Sequence, residues 1–104
     1  MYIAMNQFSV NDSRHLEFEE VWKKRERFLR EMKGFLAFHL LQGEPQDGIR
    51  TYISHSSWNS KEEFLAWTES EQFRKAHAGA RTPPGITVGP PKFSGYEVIL
   101  KELP

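Results

Sequence analysis

The order of hydrophobic patterns along the chain restricts its fold more than any other feature of the sequence. Residues 2–10 alternate between two faces, a pattern typical of a β-strand. The side chains expected to share one face of this strand are Tyr2, Ala4, Asn6, Phe8 and Val10. Residues 11–34 change to a helical period, which predicts one long amphipathic helix. Its expected caps are Asn11, Asp12 and Ser13, its stop is Gly34, and its apolar side carries Phe18, Val21, Trp22, Phe28, Leu29 and Met32.

Three further strands are indicated in the rest of the chain. Segments 35–41 and 51–58 have strand composition, and the turn-rich stretch 43–48 between them predicts an antiparallel hairpin. Prolines and glycines concentrate in 82–91, which predicts a stiff, irregular loop. A closing strand is expected at 93–100.

Two short helices are predicted between the hairpin and the irregular loop. Ser60 with Glu63, and Thr68 with Glu71, have the spacing of capping boxes. We therefore expect a break between the two helices, and the second helix to reach about Gly79.

Together these elements follow the order strand, helix, strand, strand, helix, strand. This is the split βαβ order of a ferredoxin-like α+β sandwich, and 104 residues suit a single domain, 1–104. Helices can cover only one face of a four-stranded sheet. Because the other face also carries large side chains, we expect two subunits to pack sheet to sheet as a homodimer.

Composition excludes several classes of protein. The chain has 14 basic and 14 acidic residues, mixed along the sequence, so a nucleic-acid partner is not expected. Cys is absent, which excludes disulfides, thiolate nucleophiles and Cys-held metal centres. No segment has the pattern of an export signal or a membrane span, and we therefore expect a cytoplasmic protein.

Asn6 is the first residue that suggests chemistry. Its neighbours on the same strand face, Ala4 and Phe8, are apolar, and a buried amide must find hydrogen-bond partners. The amide could bond to nearby backbone or point into a cavity, and the spacing alone does not decide between the two.

His77 and Trp67 are the other candidates. His77 lies near the expected end of the last helix, where it could ligate a metal or simply interact as a cation with the helix dipole. For ligation, a carbonyl or water on the other ring nitrogen would have to fix the tautomer. His15, His39 and His55 show no spacing of a non-haem metal site, and a single histidine suits haem better. Trp67 could line a site or belong to the core.

Taken together, Asn6, Trp67 in Phe64-Leu65-Ala66-Trp67 and His77 in Ala76-His77-Ala78-Gly79-Ala80-Arg81 resemble the haem-degrading monooxygenases of the IsdG type, within the antibiotic biosynthesis monooxygenase superfamily. The resemblance extends over nearly the whole chain. It implies a dimeric α+β barrel in which each subunit binds haem as both cofactor and substrate. It also implies O2 as oxidant and electrons from a separate reductase, since the chain has no flavin or nicotinamide motif.

The same resemblance implies roles for individual residues. His77 would be the proximal ligand of the haem iron, Asn6 a hydrogen-bond donor on the distal side, where oxygen binds, and Trp67 a ring that buckles the porphyrin. Arg25, and with less support Arg81, would pair with haem propionates, and Phe73 would form part of the pocket wall.

Two other functions remain open at this stage. One is a cofactor-independent monooxygenase that acts on a polycyclic aromatic or quinol substrate. The other is a non-catalytic haem carrier or sensor. Members of one fold can differ in this way because function depends on the site and not on the fold.

Overall fold

The computed structural model describes residues 1–78 and 81–104. Four strands form one antiparallel sheet: β1 (Tyr2–Asn11), β2 (Phe35–Gln46), β3 (Ile49–Trp58) and β4 (Lys92–Glu97). Three α-helices accompany it: α1 (His15–Lys24), α2 (Lys61–Thr68) and α3 (Glu71–His77). The strand order β2-β3-β1-β4 puts the first and third strands at the centre, which confirms the ferredoxin-like α+β fold.

The inner face of the sheet, which the helices cover, carries the core. Along β1 the side chains of Tyr2, Ala4 and Val10 are buried. Across to β3, Tyr2 is paired with Trp58, and Phe8 with Tyr52. The buried residues form two clusters. The first contains Tyr2, Ala4, Leu29, Trp58, Phe64, Trp67 and Ala76, and the second contains Val10, Phe18, Trp22, Tyr52 and Ile86. Asn6 lies between the β1 residues of the two clusters.

The predicted helix over 11–34 is wrong in its second half. Helix α1 ends at Lys24, because Arg25 takes an extended conformation and Phe28 has a left-handed backbone (φ 57°). A short 3-10 turn, Leu29–Glu31, follows. Leu29 is nevertheless buried, and Phe28 and Met32 pack against the first cluster. The helical spacing of apolar residues therefore predicted correctly which side chains are buried, but it predicted the wrong backbone conformation after Lys24.

The hairpin and the closing strand differ from prediction in length. Strand β2 continues to Gln46, and the turn is confined to Asp47 and Gly48, which both have positive φ, as a two-residue hairpin turn requires. Strand β4 ends at Glu97, three positions before the predicted end at 100.

The predicted irregular loop over 82–91 is confirmed, and it is tied to the end of β1. The backbone N–H of Asn11 donates to the carbonyl of Ile86 (2.8 Å), and Ile86 is fully buried. Asn11 also donates from its side chain to the carbonyl of Gly85 (2.7 Å), so it holds this loop and does not cap α1.

Two short helices form where the sequence predicts them, although the second begins differently. Ser60 caps α2 and accepts from the N–H of Glu63, as expected. The cap of α3 is Ser70, whose hydroxyl accepts from the N–H of Phe73, whereas Thr68 is the last residue of α2. Helix α3 ends at His77. Its predicted end at Gly79 lies outside the described residues.

Candidate functional site

A cavity of about 360 Å³ lies between the inner sheet face and the helices. It touches both core clusters, since Trp67 of the first and Trp22 of the second line it. Its volume falls within the ~300–1,000 Å³ typical of small-molecule sites. Five of the six residues singled out from the sequence line this one cavity: Asn6, Arg25, Trp67, Phe73 and His77.

Small side chains on the sheet create the floor of the cavity. Ala4 is paired with Ser56 and Asn6 with Ser54 across β1 and β3, and all four residues line the cavity. Elsewhere on the inner face the two strands carry large rings: Tyr2 on β1, and Tyr52 and Trp58 on β3. The change from large to small side chains leaves the space that the core would otherwise fill.

Asn6 presents its amide to this space. Among residues 1–78 and 81–104, no group forms a hydrogen bond with its side chain, although Asn6 is only partly exposed. Between the two alternatives left by the sequence, backbone bonding and a cavity-facing amide, the structure therefore favours the second. An amide N–H in this position is available to a ligand.

Trp67 belongs both to the core and to the cavity wall. Its indole stacks against Trp58 (ring centroids 6.3 Å apart) and meets the ring of Phe73 edge to face (5.3 Å). Only 7% of Trp67 is exposed. These contacts hold the indole in one orientation, so that it forms a rigid wall.

His77 is positioned by Phe73, one turn earlier on α3. The ring nitrogen Nδ1 lies 2.7 Å from the carbonyl oxygen of Phe73, and the two rings stack with centroids 4.0 Å apart. A carbonyl can only accept a hydrogen bond, so Nδ1 carries a proton in this contact, and a neutral ring would then have its lone pair on Nε2. This is the tautomer required for ligation of a metal through Nε2.

The segment that follows α1 brings two arginines to the cavity, Arg25 and Arg27. The guanidinium carbon of Arg25 lies 4.3 Å from the centre of the Trp22 ring, and that of Arg27 lies 5.0 Å from the centre of the Phe38 ring. Burial lowers the pKa of Arg25 below its ordinary value, and the charge of Arg27 lowers it further. The cavity thus has a positively charged side that would attract an anionic ligand.

Arg81 lies elsewhere. It lines a neighbouring pocket of about 340 Å³ together with Lys24, Lys75 and Arg25. Arg25 is thus shared between the two pockets, whereas Arg81 is outside the lining of the main cavity.

Sequence reasoning missed two parts of this site. Ser54 and Ser56 carried a usable signal, because on one face of the predicted strand these two small polar residues stand between two large rings, Tyr52 and Trp58. Arg27 carried none, because the sequence predicted a helix there and Arg27 would have been one of several charged residues on its surface.

Comparison with known proteins adds to this geometry. Residues 1–79 match the family described as Antibiotic biosynthesis monooxygenase. The chain belongs to this family. The match includes Asn6, Trp67 and His77, and so covers the three residues on which the resemblance was based.

Relatives within the family can be described more closely. The chain is 32% identical over 72 residues to a "Heme-degrading monooxygenase" of Shouchella clausii, a match that covers 69% of this chain and 66% of that protein, just under two thirds of its length. It is 32% identical over 98 residues to a "Heme oxygenase (mycobilin-producing)" of Mycobacterium tuberculosis, with 94% and 89% covered. A solved structure of the heme-degrader MhuD from Mycobacterium tuberculosis, with two hemes bound in its active site, is similar with a TM-score of 0.74 and 27% identity, and 98% and 99% of the two chains are covered.

In the part of the chain that the structure describes, none of the helices is both long and apolar enough to cross a bilayer.

Proposed function

We propose that this protein is a haem-degrading monooxygenase. Haem would bind in the cavity as cofactor and substrate, and the porphyrin would be opened with O2 and external electrons, releasing iron and a bilin-type tetrapyrrole. The observation that carries the proposal is His77, which lines the cavity with Nδ1 bonded to the carbonyl of Phe73 and Nε2 left for a metal. The names of the relatives from Shouchella clausii and Mycobacterium tuberculosis support the same activity.

The residues around the cavity fit haem in three respects. Aromatic walls, including Trp22, Trp67 and Phe73, suit a flat apolar ring. His77 is the one histidine among the described residues that line the cavity, and it would hold the iron without a second protein ligand. Arg25 lines the cavity, and its guanidinium group could bind a carboxylate of the ligand.

Each residue then has a distinct task. His77 would donate the Nε2 lone pair to the iron, while the carbonyl of Phe73 keeps the proton on Nδ1. Asn6 would donate an amide N–H toward partial negative charge that develops on oxygen. Trp67, fixed by Trp58 and Phe73, would press on the macrocycle and distort it. Haem supplies the iron that activates oxygen and the ring that is oxidised.

Further residues would bind the periphery of the ligand. Arg25 would pair with one propionate, and Phe73 would form part of the wall as well as orient His77. We keep Arg81 as a peripheral propionate contact, which it would reach from the neighbouring pocket.

The proposal also concerns partners. We infer a homodimer of a single domain, 1–104, in the cytoplasm, served by a separate reductase. Support for the dimer comes from the outer sheet face, where Leu41 is paired with Ile53 and Leu41 and Tyr96 are 42% and 52% exposed. Leu41 on β2 and Tyr96 on β4 belong to opposite edge strands, so exposed apolar side chains are spread across this face, as expected of an interaction surface.

An absorption titration with haemin, followed by ascorbate in air, tests the function. We expect a Soret band that saturates at one haem per subunit and then bleaches while a tetrapyrrole band appears. Absence of specific binding would contradict the proposal and favour the cofactor-independent monooxygenase. Bound haem that survives reductant and air would contradict it in favour of a carrier or sensor.

A further inference from the structure

Arg27 has a structural role that the sequence did not suggest. Its Nη1 donates to the carbonyl of Trp22 (2.8 Å) and to that of Arg25 (3.3 Å). The carbonyl of Trp22 belongs to the last turn of α1, where backbone acceptors need partners outside the helix. Arg27 therefore closes the helix end with its side chain and fixes the irregular segment that carries both arginines.

The rest of the guanidinium group remains available to a ligand. Only Nη1 takes part in these bonds, so the edge formed by Nε and Nη2 retains its donors. Within residues 1–78 and 81–104, no carboxylate forms an ion pair with Arg27. Arg27 is partly buried and lines the cavity. Its guanidinium group lies over the ring of Phe38, which stacks on the ring of Trp22 with the ring centroids 5.9 Å apart.

The position of this free edge suits a carboxylate. One edge of an arginine can bind a carboxylate by two parallel hydrogen bonds. Here the Nη1 bonds and the aromatic contact already hold the side chain, so little rotamer freedom would be lost on binding. Arg25 lines the same cavity and is close enough for the two charges to interact: burial lowers the pKa of Arg25, and the charge of Arg27 lowers it further.

We propose that Arg27 is a second carboxylate-binding residue of the cavity, and that together with Arg25 it selects ligands that carry two carboxylates. The inference rests on the proposed function, because haem is a ligand with two propionates. It makes Arg27 the direct partner of the second propionate, and leaves Arg81, which lies in the neighbouring pocket, as a peripheral contact only.

Binding of haemin and of haemin dimethyl ester, in the same cosolvent, tests this assignment. The ester keeps the iron and the ring but has no carboxylate charge. The proteins to compare are the unchanged chain, Arg27→Gln and the control Arg30→Gln, which removes an exposed arginine outside the lining of the cavity. We expect Arg27→Gln to weaken haemin binding about tenfold or more, as for loss of a charge-assisted hydrogen bond, and to weaken ester binding much less, because the ester loses only the support of the α1 end. Arg30→Gln should affect neither ligand.

Two results would overturn the inference while the proposed function stands. Equal weakening of haemin and ester would show that Arg27 only supports the end of α1, and no change in either would show that it does not contact the ligand. If the unchanged chain bound neither ligand, the proposed function itself would fail, and this inference with it. If Arg27→Gln does not fold, Arg27→Lys keeps the charge without the two-pronged edge, and it must then weaken haemin binding more than ester binding.

Discussion

At the scale of single residues, the chemistry of the site depends on which polar side-chain atoms the neighbouring groups leave available to a ligand. His77 illustrates this, because its bond to the carbonyl of Phe73 uses Nδ1 and leaves Nε2 as the nitrogen that could bind a ligand. Asn6 illustrates the opposite case, since no described group uses its amide. The sequence pointed to both residues, but only the folded chain shows which of their atoms are available.

Replacing Asn6 with Ala tests the role of its amide. We expect haemin to bind with nearly unchanged affinity and to be degraded about tenfold more slowly or worse, because a hydrogen-bond donor toward developing charge acts in the transition state. Rates of Soret bleaching under ascorbate measure the effect. Asn59→Ala, which changes an exposed asparagine outside the cavity, is the control. Normal turnover in Asn6→Ala would refute the assigned role.

Tyr52 allows a test of stability. Its hydroxyl donates to Glu19 (2.6 Å), and burial, with this bond, raises the pKa of Tyr52 above its ordinary value. Because the folded pKa is the higher one, the stabilisation is complete below about pH 10 and is lost as pH rises through the folded pKa. We expect Tyr52→Phe to lower the free energy of unfolding by ~1–2 kcal/mol at neutral pH.

Denaturant unfolding measured from pH 7 to pH 11 checks this expectation. Stability of the unchanged chain should fall more steeply at alkaline pH than that of Tyr52→Phe. Tyr96→Phe, at a half-exposed tyrosine, is the control. Identical alkaline profiles for the unchanged chain and Tyr52→Phe would contradict the interpretation.

At the scale of elements, the sequence predicted the number and order of strands and helices better than their ends. The end of α1 was missed because Phe28 and Leu29 keep the apolar period after the backbone has left the helix. The cap of α3 was missed because Thr68 and Ser70 are both plausible caps, and their tertiary setting decides between them. The hydroxyl of Ser70 donates to the carbonyl of Trp67 (2.7 Å) and so joins α2 to α3.

Ser70→Ala tests how far α3 controls the site. The helix has 7 residues, too few to be stable alone, and it carries both Phe73 and His77. We expect the variant to lose ~1 kcal/mol of stability and to release haemin faster, because a frayed α3 holds His77 less firmly. Ser60→Ala removes the equivalent cap of α2 and should cost similar stability with a smaller effect on release. Equal release rates in both variants would contradict this role of α3.

At the scale of the whole molecule, the ferredoxin-like fold followed from the order of patterns, but the cavity did not. Its floor depends on Ala4 and Asn6 of β1 facing Ser56 and Ser54 of β3, a register that only the assembled sheet defines. The positively charged side likewise depends on where α1 ends. A sequence can therefore predict candidate residues for such a site more easily than the space between them.

Ile53→Lys tests the proposed dimer. Ile53 lies on the outer face of the sheet, paired with Leu41 and Gln7. A buried lysine at a subunit contact has no partner for its charge, so we expect the variant to be monomeric. Sedimentation of the unchanged chain should give twice the mass of one subunit. Leu65→Lys, on α2, should leave that mass unchanged, and a monomeric unchanged chain would contradict the dimer.

Release of iron distinguishes haem degradation from haem binding alone. The unchanged chain, His77→Ala and His15→Ala would each receive haemin, ascorbate and air, with a chelator to report free iron. His15 is the matched control, since its Nδ1 also lies 2.7 Å from a backbone carbonyl, that of Asp12, but outside the cavity. We expect iron and a bilin-type pigment from the unchanged chain and His15→Ala, and loss of both from His77→Ala. Equal release by all three proteins would contradict this expectation, as would intact haem in the unchanged chain.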